Sequence, residues 1–169
     1  MVVIMSLMLK KYDKDNECEY GYLLTLWNEY GSFFKLKKEQ PEYYYGEFQD
    51  EFQRIKSAAN QDTNLYFVYV TRSQIPIGMF QLIPTSNNDI CELKKILILE
   101  SFRNNGYGNL VVSHVLQEAR SQGYNKCILD VLKTESKAAH RAYVNNGFKV
   151  VKSTSFKTNN DVLWMECSL

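Results

Sequence analysis

The chain has 169 residues, enough for one ordinary domain spanning 1–169 and too few for two comfortable ones. Its 45% hydrophobic content supports a core, and Lys+Arg 20 against Asp+Glu 19 implies no broad basic face for nucleic acid. Four cysteines without a CxxC pair and only two histidines argue against a metal site or a disulfide framework and fit a reducing cytoplasm. The opening run Met1–Leu9 lacks a preceding basic region and is too short to cross a bilayer, so it reads as a first strand, about Met5 to Lys11.

Helices are expected over Cys18–Tyr30 and Glu47–Ala59, with an aromatic-rich connection, Ser32 to Tyr45, between them. The period then changes. Leu65–Val70 and Ile77–Ile83 are rich in β-branched and aromatic residues and read as strands joined by a turn around Arg72–Pro76. A turn at Thr85–Asp89 leads into a strand from Ile90 to Leu99. A helix to about Gln122 carries the stripe Val112, Val115, Leu116, Ala119 and stops at Gly123. Lys126–Leu132 reads as a strand and Ser136–Asn146 as a helix ended by Gly147. Phe148–Phe156 and Val162–Cys167 flank a turn at Thr158–Asp161 and read as an antiparallel hairpin. This order describes a mixed α/β sheet.

Between the strand ending near Leu99 and the following helix lies Arg103-Asn104-Asn105-Gly106-Tyr107-Gly108. A strand that enters a helix through a glycine turn leaves backbone N–H groups pointing one way, and the helix dipole adds partial positive charge there. Such a turn suits phosphate. A P-loop would need GxxxxGK[ST], which is absent, and a dinucleotide fingerprint would need glycine at position 111, which is Val111.

The string [RQ]xxGxG resembles the acyl-CoA pyrophosphate loop of the GNAT superfamily of N-acetyltransferases. Three more segments match in order. Glu92–Arg103 looks like the family's fourth strand running into its loop, Ser136–Phe148 is similar to its NxxAxxxYxxxGF segment, and the hairpin ending at Ile77-Gly78 resembles its second and third strands. The resemblance covers about Leu65 to Cys167. It implies a GNAT-like α+β fold: a mostly antiparallel mixed, twisted sheet flanked by helices, with the fourth and fifth strands splayed apart. The cofactor it implies is acetyl-CoA, as co-substrate, with no metal. One departure stands out, since Ser136 occupies the place of an asparagine that contacts the cofactor; its hydroxyl can still cap the helix or donate a hydrogen bond.

Carried over, the resemblance assigns the loop Arg103, Asn104, Asn105, Gly106, Tyr107, Gly108 and Asn109 to the CoA pyrophosphate. It assigns the main chain of Ile96, Leu97 and Ile98 to the pantetheine arm, with the Ile98 N–H as oxyanion donor. Tyr143 falls where the family's tyrosine faces the CoA sulfur and takes the role of acid, while Glu92 falls where several members place a general base. The residues themselves leave both open. Tyr143 shares a helix face with Ala139 and Ala142 and also reads as core, and Glu92 also reads as a strand carboxylate paired with Lys94 or Lys126. His114 and His140 read as solvated or structurally paired, Cys91 and Cys127 as small core residues, and Lys137 and Arg141 as a solvated face.

The acceptor side, by resemblance, is built by the first two helices and their connection. Trp27, Tyr30, Phe33, Phe34, Tyr43, Tyr44, Tyr45, Phe48 and Phe52 offer aromatic faces, and Glu42, Glu47, Asp50 and Glu51 offer negative charge. Both attract ammonium groups, which points to a small cationic amine, although helices covering a sheet need the same aromatics as core. A peptide or protein amine is the second acceptor class, and a CoA-binding regulatory module without turnover is the alternative outside enzymes. No nucleic-acid or membrane partner is expected. Family habit leaves a homodimer through C-terminal edge strands open.

Overall fold

A computed structural model describes residues 6–37, 41–58, 63–133, 137–154 and 161–169. In chain order the elements are β1 (Leu7–Lys11), α1 (Glu17–Lys37), α2 (Pro41–Ser57), β2 (Leu65–Val70), β3 (Gly78–Pro84), β4 (Ile90–Ile98), α3 (Tyr107–Ser121), β5 (Lys126–Leu132), α4 (Lys137–Asn145), β6 (Lys149–Thr154) and β7 (Val162–Ser168). The seven strands form one sheet in the order β1-β2-β3-β4-β5-β7-β6. Pairing is antiparallel for β1/β2, β2/β3, β5/β7 and β6/β7, and parallel for β4/β5. The expected α+β sheet flanked by helices is therefore present, and the C-terminal hairpin inserts β7 between β5 and β6.

The first two helices depart from expectation. α1 continues to Lys37 instead of ending at Tyr30, and α2 starts at Pro41 instead of Glu47. Most of the stretch read as a connection is thus helical. Pro41 suits the first helical position, where its missing N–H would have had no helical partner and its fixed φ is already right. The helix-propensity penalty of aromatic residues is only a few tenths of a kcal/mol each, about 0.7 at most, and tertiary packing outweighs it. At the other end of α1, the Asn16 side-chain oxygen accepts from the N–H groups of Cys18 and Glu19 at 3.1 and 3.4 Å. Glu19, buried, reaches back to the Asp13 N–H at 2.8 Å and pairs with Lys10 of β1. An N-cap of this kind is worth roughly 1 kcal/mol.

Contacts divide the chain into two compact units, Met1–Gln81 with Lys95–Leu99, and Leu82–Lys94 with Glu100–Leu169. In the first, Leu23, Leu26 and Trp27 recur at the three-and-four spacing of one helical face. They pack with Phe52 and Ile55 of α2 on Leu65, Phe67, Tyr69, Met79 and Leu97. The Trp27 and Phe52 rings lie 5.5 Å apart. In the second unit, α3 buries Val111, Val112, Val115, Leu116 and Ala119, and Cys127, Leu129, Phe148, Met165 and Cys167 are buried with them.

Gly78 is a point of close approach. A Cβ there would stand 2.3 Å from the Leu97 carbonyl oxygen, a contact between two main chains that no side-chain rotation relieves. Gly78→Ala should therefore destabilise the fold by about 1–3 kcal/mol, the usual range for overpacking. Urea unfolding measures it, and a change below about 0.5 kcal/mol, typical of an unconstrained surface site, would contradict the contact.

Candidate functional site

The turn after β4 is built by backbone geometry. Glu100–Phe102 form one 3-10 turn, closed by the Arg103 N–H donating to the Glu100 carbonyl at 3.1 Å. Asn104 then adopts φ 62° and Gly106 φ 81°, both left-handed. Asparagine tolerates that region better than other side-chain-bearing residues, and glycine without cost. Asn105 holds the turn by donating from Nδ2 to the Arg103 carbonyl at 3.1 Å, and the Phe102 and Tyr107 rings meet edge to face at 6.3 Å.

Gly106 is the N-cap of α3, and no side chain caps the helix. The N–H groups of its first turn are the ones a Ser, Thr, Asp or Asn would ordinarily satisfy. Left-handed residues between right-handed ones also point successive N–H groups to one side, forming a concavity suited to an anion. The helix dipole reinforces this with about half a positive charge. Asn104, Asn105, Gly106 and Asn109 are exposed, while Arg103, Tyr107 and Gly108 are half-buried.

α4 is tied to this turn. The Asn146 Nδ2 donates to Asn109 Oδ1 at 3.0 Å and lies 3.2 Å from the Asn109 carbonyl and 2.8 Å from that of Ala142. Asn146 had no assigned role in the sequence, because it falls on an unspecified position of the matching segment. Its clamp makes it a positioning residue for the turn. Asn146→Ala should weaken binding of an anion at the turn several-fold while leaving the far-UV circular dichroism unchanged. Titration calorimetry with wild-type affinity in the variant would remove that role.

Tyr143, one turn earlier on α4, is buried, with its ring 5.7 Å from that of Phe148. Burial, and then the negative charge of Asp130, push its hydroxyl well above the ordinary tyrosine value. The group therefore holds its proton across neutral pH. The same shift links protonation to stability. Tyr143 binds its proton more tightly folded than unfolded, so its contribution is complete below the unfolded value of about 10 and is lost as pH climbs from there toward the higher folded value. Tyr143→Phe should flatten the decline of stability in alkali above about pH 10. Some decline remains, since Tyr12 is also raised and Tyr69 is pushed up to about 12, both chiefly by burial. Denaturant midpoints measured across that pH range check this, and an unchanged slope contradicts it.

Glu92 sits half-buried at the last position where β4 pairs with β5. Among the described residues the parallel ladder holds three pairs, Ile90↔Lys126, Cys91↔Cys127 and Glu92↔Ile128. β5 goes on pairing with β7 as far as Leu132, so the fourth and fifth strands part beyond Glu92. Lys95, at φ 52°, interrupts the regular strand just past the fork. The Glu92 carboxylate lies 3.2 Å from Lys94 Nζ, whereas Lys126 pairs with Glu166 at 3.0 Å.

Ile96, Leu97 and Ile98 belong to the first unit, where Leu97 is buried and Ile96 and Ile98 are half-buried. His114 directs Nδ1 at the Leu110 carbonyl, 2.9 Å away, on its own helix, and Lys137 and Arg141 are exposed. Ser136 lies outside the described residues, as do the side chains of Phe34, Glu42, Tyr43, Tyr44, Tyr45, Glu47 and Phe48 and the turn residues 158–160. No group of three or more His, Cys, Asp or Glu suited to a metal occurs among the described residues, and no described helix is long and apolar enough to cross a membrane.

A family model described as "Acetyltransferase (GNAT) family" matches residues 23–148. An uncharacterised N-acetyltransferase of Dictyostelium discoideum is 32% identical over 81 residues, a stretch covering 47% of this chain and 37% of that protein. The chain thus spans well under half the length of this curated relative. Among solved structures, a spermidine N-acetyltransferase chimera from Vibrio cholerae and hSSAT matches with TM-score 0.67 and 19% identity, covering 96% of this chain and 95% of that one. The NatC complex bound to Gag peptide and CoA matches with TM-score 0.63 and 18% identity over 98% and 99% of the two chains. At these identities the structures establish a shared fold.

Proposed function

The chain belongs to the GNAT acetyltransferase family, and from that premise we propose that it moves an acetyl group from acetyl-CoA to a primary amine by direct attack, with a small cationic amine as acceptor. The observation that carries the cofactor reading is the start of α3. Its N-cap is a left-handed glycine with no side-chain cap, so the first-turn N–H groups suit a diphosphate. Arg103 through Asn109 would hold that diphosphate. The main chain of Ile96, Leu97 and Ile98 would pair with the pantetheine arm as a strand does, and Ser136 is the family-matched contact near it.

Acetyl-CoA supplies an acetyl thioester, and the chain's own residues manage protons and charge. The acceptor ammonium must lose a proton before it can attack. Glu92 would take that proton, directly or through a water, after turning from Lys94. The Ile98 N–H would face the charge that develops on the thioester oxygen. Tyr143 keeps its proton at neutral pH and would give it to the departing sulfur. Two protons leave the ammonium on its way to the amide: Glu92 would take the first and pass it to solvent, and the second, lost from nitrogen after the C–N bond forms and the C–S bond breaks, makes good the proton that Tyr143 gives the thiol.

The structural neighbours divide on the acceptor, one named for spermidine and one bound to a peptide. The small-amine reading rests on the aromatic and acidic content of α1 and α2, where Trp27 and Phe52 are core and Asp50 and Glu51 face solvent in part. Calorimetry should show acetyl-CoA binding, weakened about tenfold or more by Gly106→Val, whose branched side chain disfavours the left-handed φ. A free-thiol assay should then show turnover with polyamines or aminoglycosides that exceeds turnover with peptides. Tyr143→Phe should lose turnover and keep affinity. Absence of acetyl-CoA binding overturns the cofactor reading, and a preference for peptides or for neutral amines overturns the acceptor.

A further inference from the structure

Three buried cysteines lie across neighbouring strands. Cys91 of β4 stands directly opposite Cys127 of β5, and Cys127 stands opposite Cys167 of β7. All three are buried and free, and the fourth, Cys18, is exposed. Core packing explains small apolar residues at these positions but does not explain two thiols in mutual contact. We infer that Cys91 and Cys127 form an oxidation site, which a hydroperoxide converts to a cross-strand disulfide at the base of the β4–β5 fork.

Neighbouring strands run about 4.7–4.9 Å apart, inside the roughly 4.4–6.8 Å range of Cα separations that a disulfide spans. The two sulfurs are already partners. The Cys91 thiol lies 3.6 Å from the Lys126 carbonyl and the Cys127 thiol 3.9 Å from the Ile128 carbonyl, while the interaction between the two thiols lowers the Cys91 pKa below the ordinary thiol value and, together with burial, raises the Cys127 pKa. The pair is therefore asymmetric, with Cys91 the readier of the two to lose its proton. The Cys167 thiol has two carbonyl partners, Asn146 and Ser168, at 3.6 and 3.4 Å, which hold it more firmly in place. Access comes from the ladder itself. Among the described residues only three β4–β5 pairs join the two strands, Cys91 lies in the middle one, and a short ladder opens more readily than a long one.

The step balances in two stages. The Cys91 thiolate attacks one peroxide oxygen, the O–O bond breaks, and the other oxygen leaves as alcohol or water once protonated; Cys91 becomes a sulfenic acid. The Cys127 sulfur then attacks the Cys91 sulfur, the S–O bond breaks, and the Cys127 proton leaves with the hydroxide as water. Two thiols are oxidised and one peroxide is reduced. A disulfide across directly paired strands departs from relaxed geometry, so it is readily reduced again.

Cys18→Ala removes the exposed thiol and serves as background. Native protein of this variant, treated with hydrogen peroxide and then quenched and denatured, should have lost two of its three remaining thiols. Non-reducing peptide mapping should link the Cys91 and Cys127 peptides, and dithiothreitol should restore both thiols. Adding Cys91→Ala or, should that variant fold poorly, Cys91→Ser should abolish the linked peptide. Three intact thiols after treatment, a sulfinic acid in place of the link, or a Cys127–Cys167 link would each overturn the proposal.

Discussion

The orphan N–H groups at the start of α3 are the constraint around which the second unit is arranged. Leaving a helix N-terminus without a side-chain cap forgoes roughly 1 kcal/mol. The chain tolerates that cost because α3 is held elsewhere, through five buried residues on one face and through Asn146 at its first turn. A helix so anchored cannot swing its terminus to find a partner. Its amides keep one direction whether or not an anion is present. A mobile loop of the same composition would spend about 1–2 kcal/mol of backbone entropy per residue ordered on binding. Here that cost falls on folding.

β4 carries a second local conflict. A non-glycine residue in the left-handed region costs roughly 1–2 kcal/mol, and Lys95 occupies it in mid-strand. The conformation survives because the chain on its far side is firmly held. Leu97 is buried in the first unit, its carbonyl lies against Gly78, and the Leu99 N–H donates to the Ile77 carbonyl at 2.9 Å. β5 meanwhile finds in β7 a partner for its whole length.

Elements whose pattern is local were legible in the sequence. β2 and β5 have the expected bounds, because runs of apolar, β-branched and aromatic residues end there at turn residues, and α3 was fixed by its stripe and by Gly123. The ends of α1 and α2 were not legible, since aromatic residues suit core helix and connection alike and only packing decides between them. The glycine turn could be read because its two elements, glycine at a left-handed position and a helix following at once, are written in adjacent residues. The Asn146 clamp could not be read. It joins positions 109 and 146, and nothing in either residue announces the other. Lys95 was hidden for a different reason, as lysine has no preference for the conformation it adopts and tertiary contacts impose it.

Tyr143 shows why a shifted titration alone does not mark function. Tyr12, Tyr69 and Tyr143 are all raised, and in each the first cause is burial. Burial describes every aromatic core residue and says nothing of chemistry. What separates Tyr143 is its place on α4, at whose end Asn146 grips the first turn of α3, whereas Tyr12 and Tyr69 face Phe67 inside the first unit. A proton donor is useful only if its distance to the reacting atom is fixed by the same framework that fixes the substrate. The clamp couples the helix bearing Tyr143 to the turn suited to diphosphate, so displacing one displaces the other. Glu92 differs: it pairs with Lys94 on its own strand, and the ion pair is only partly buried, so it ties the carboxylate to no other element.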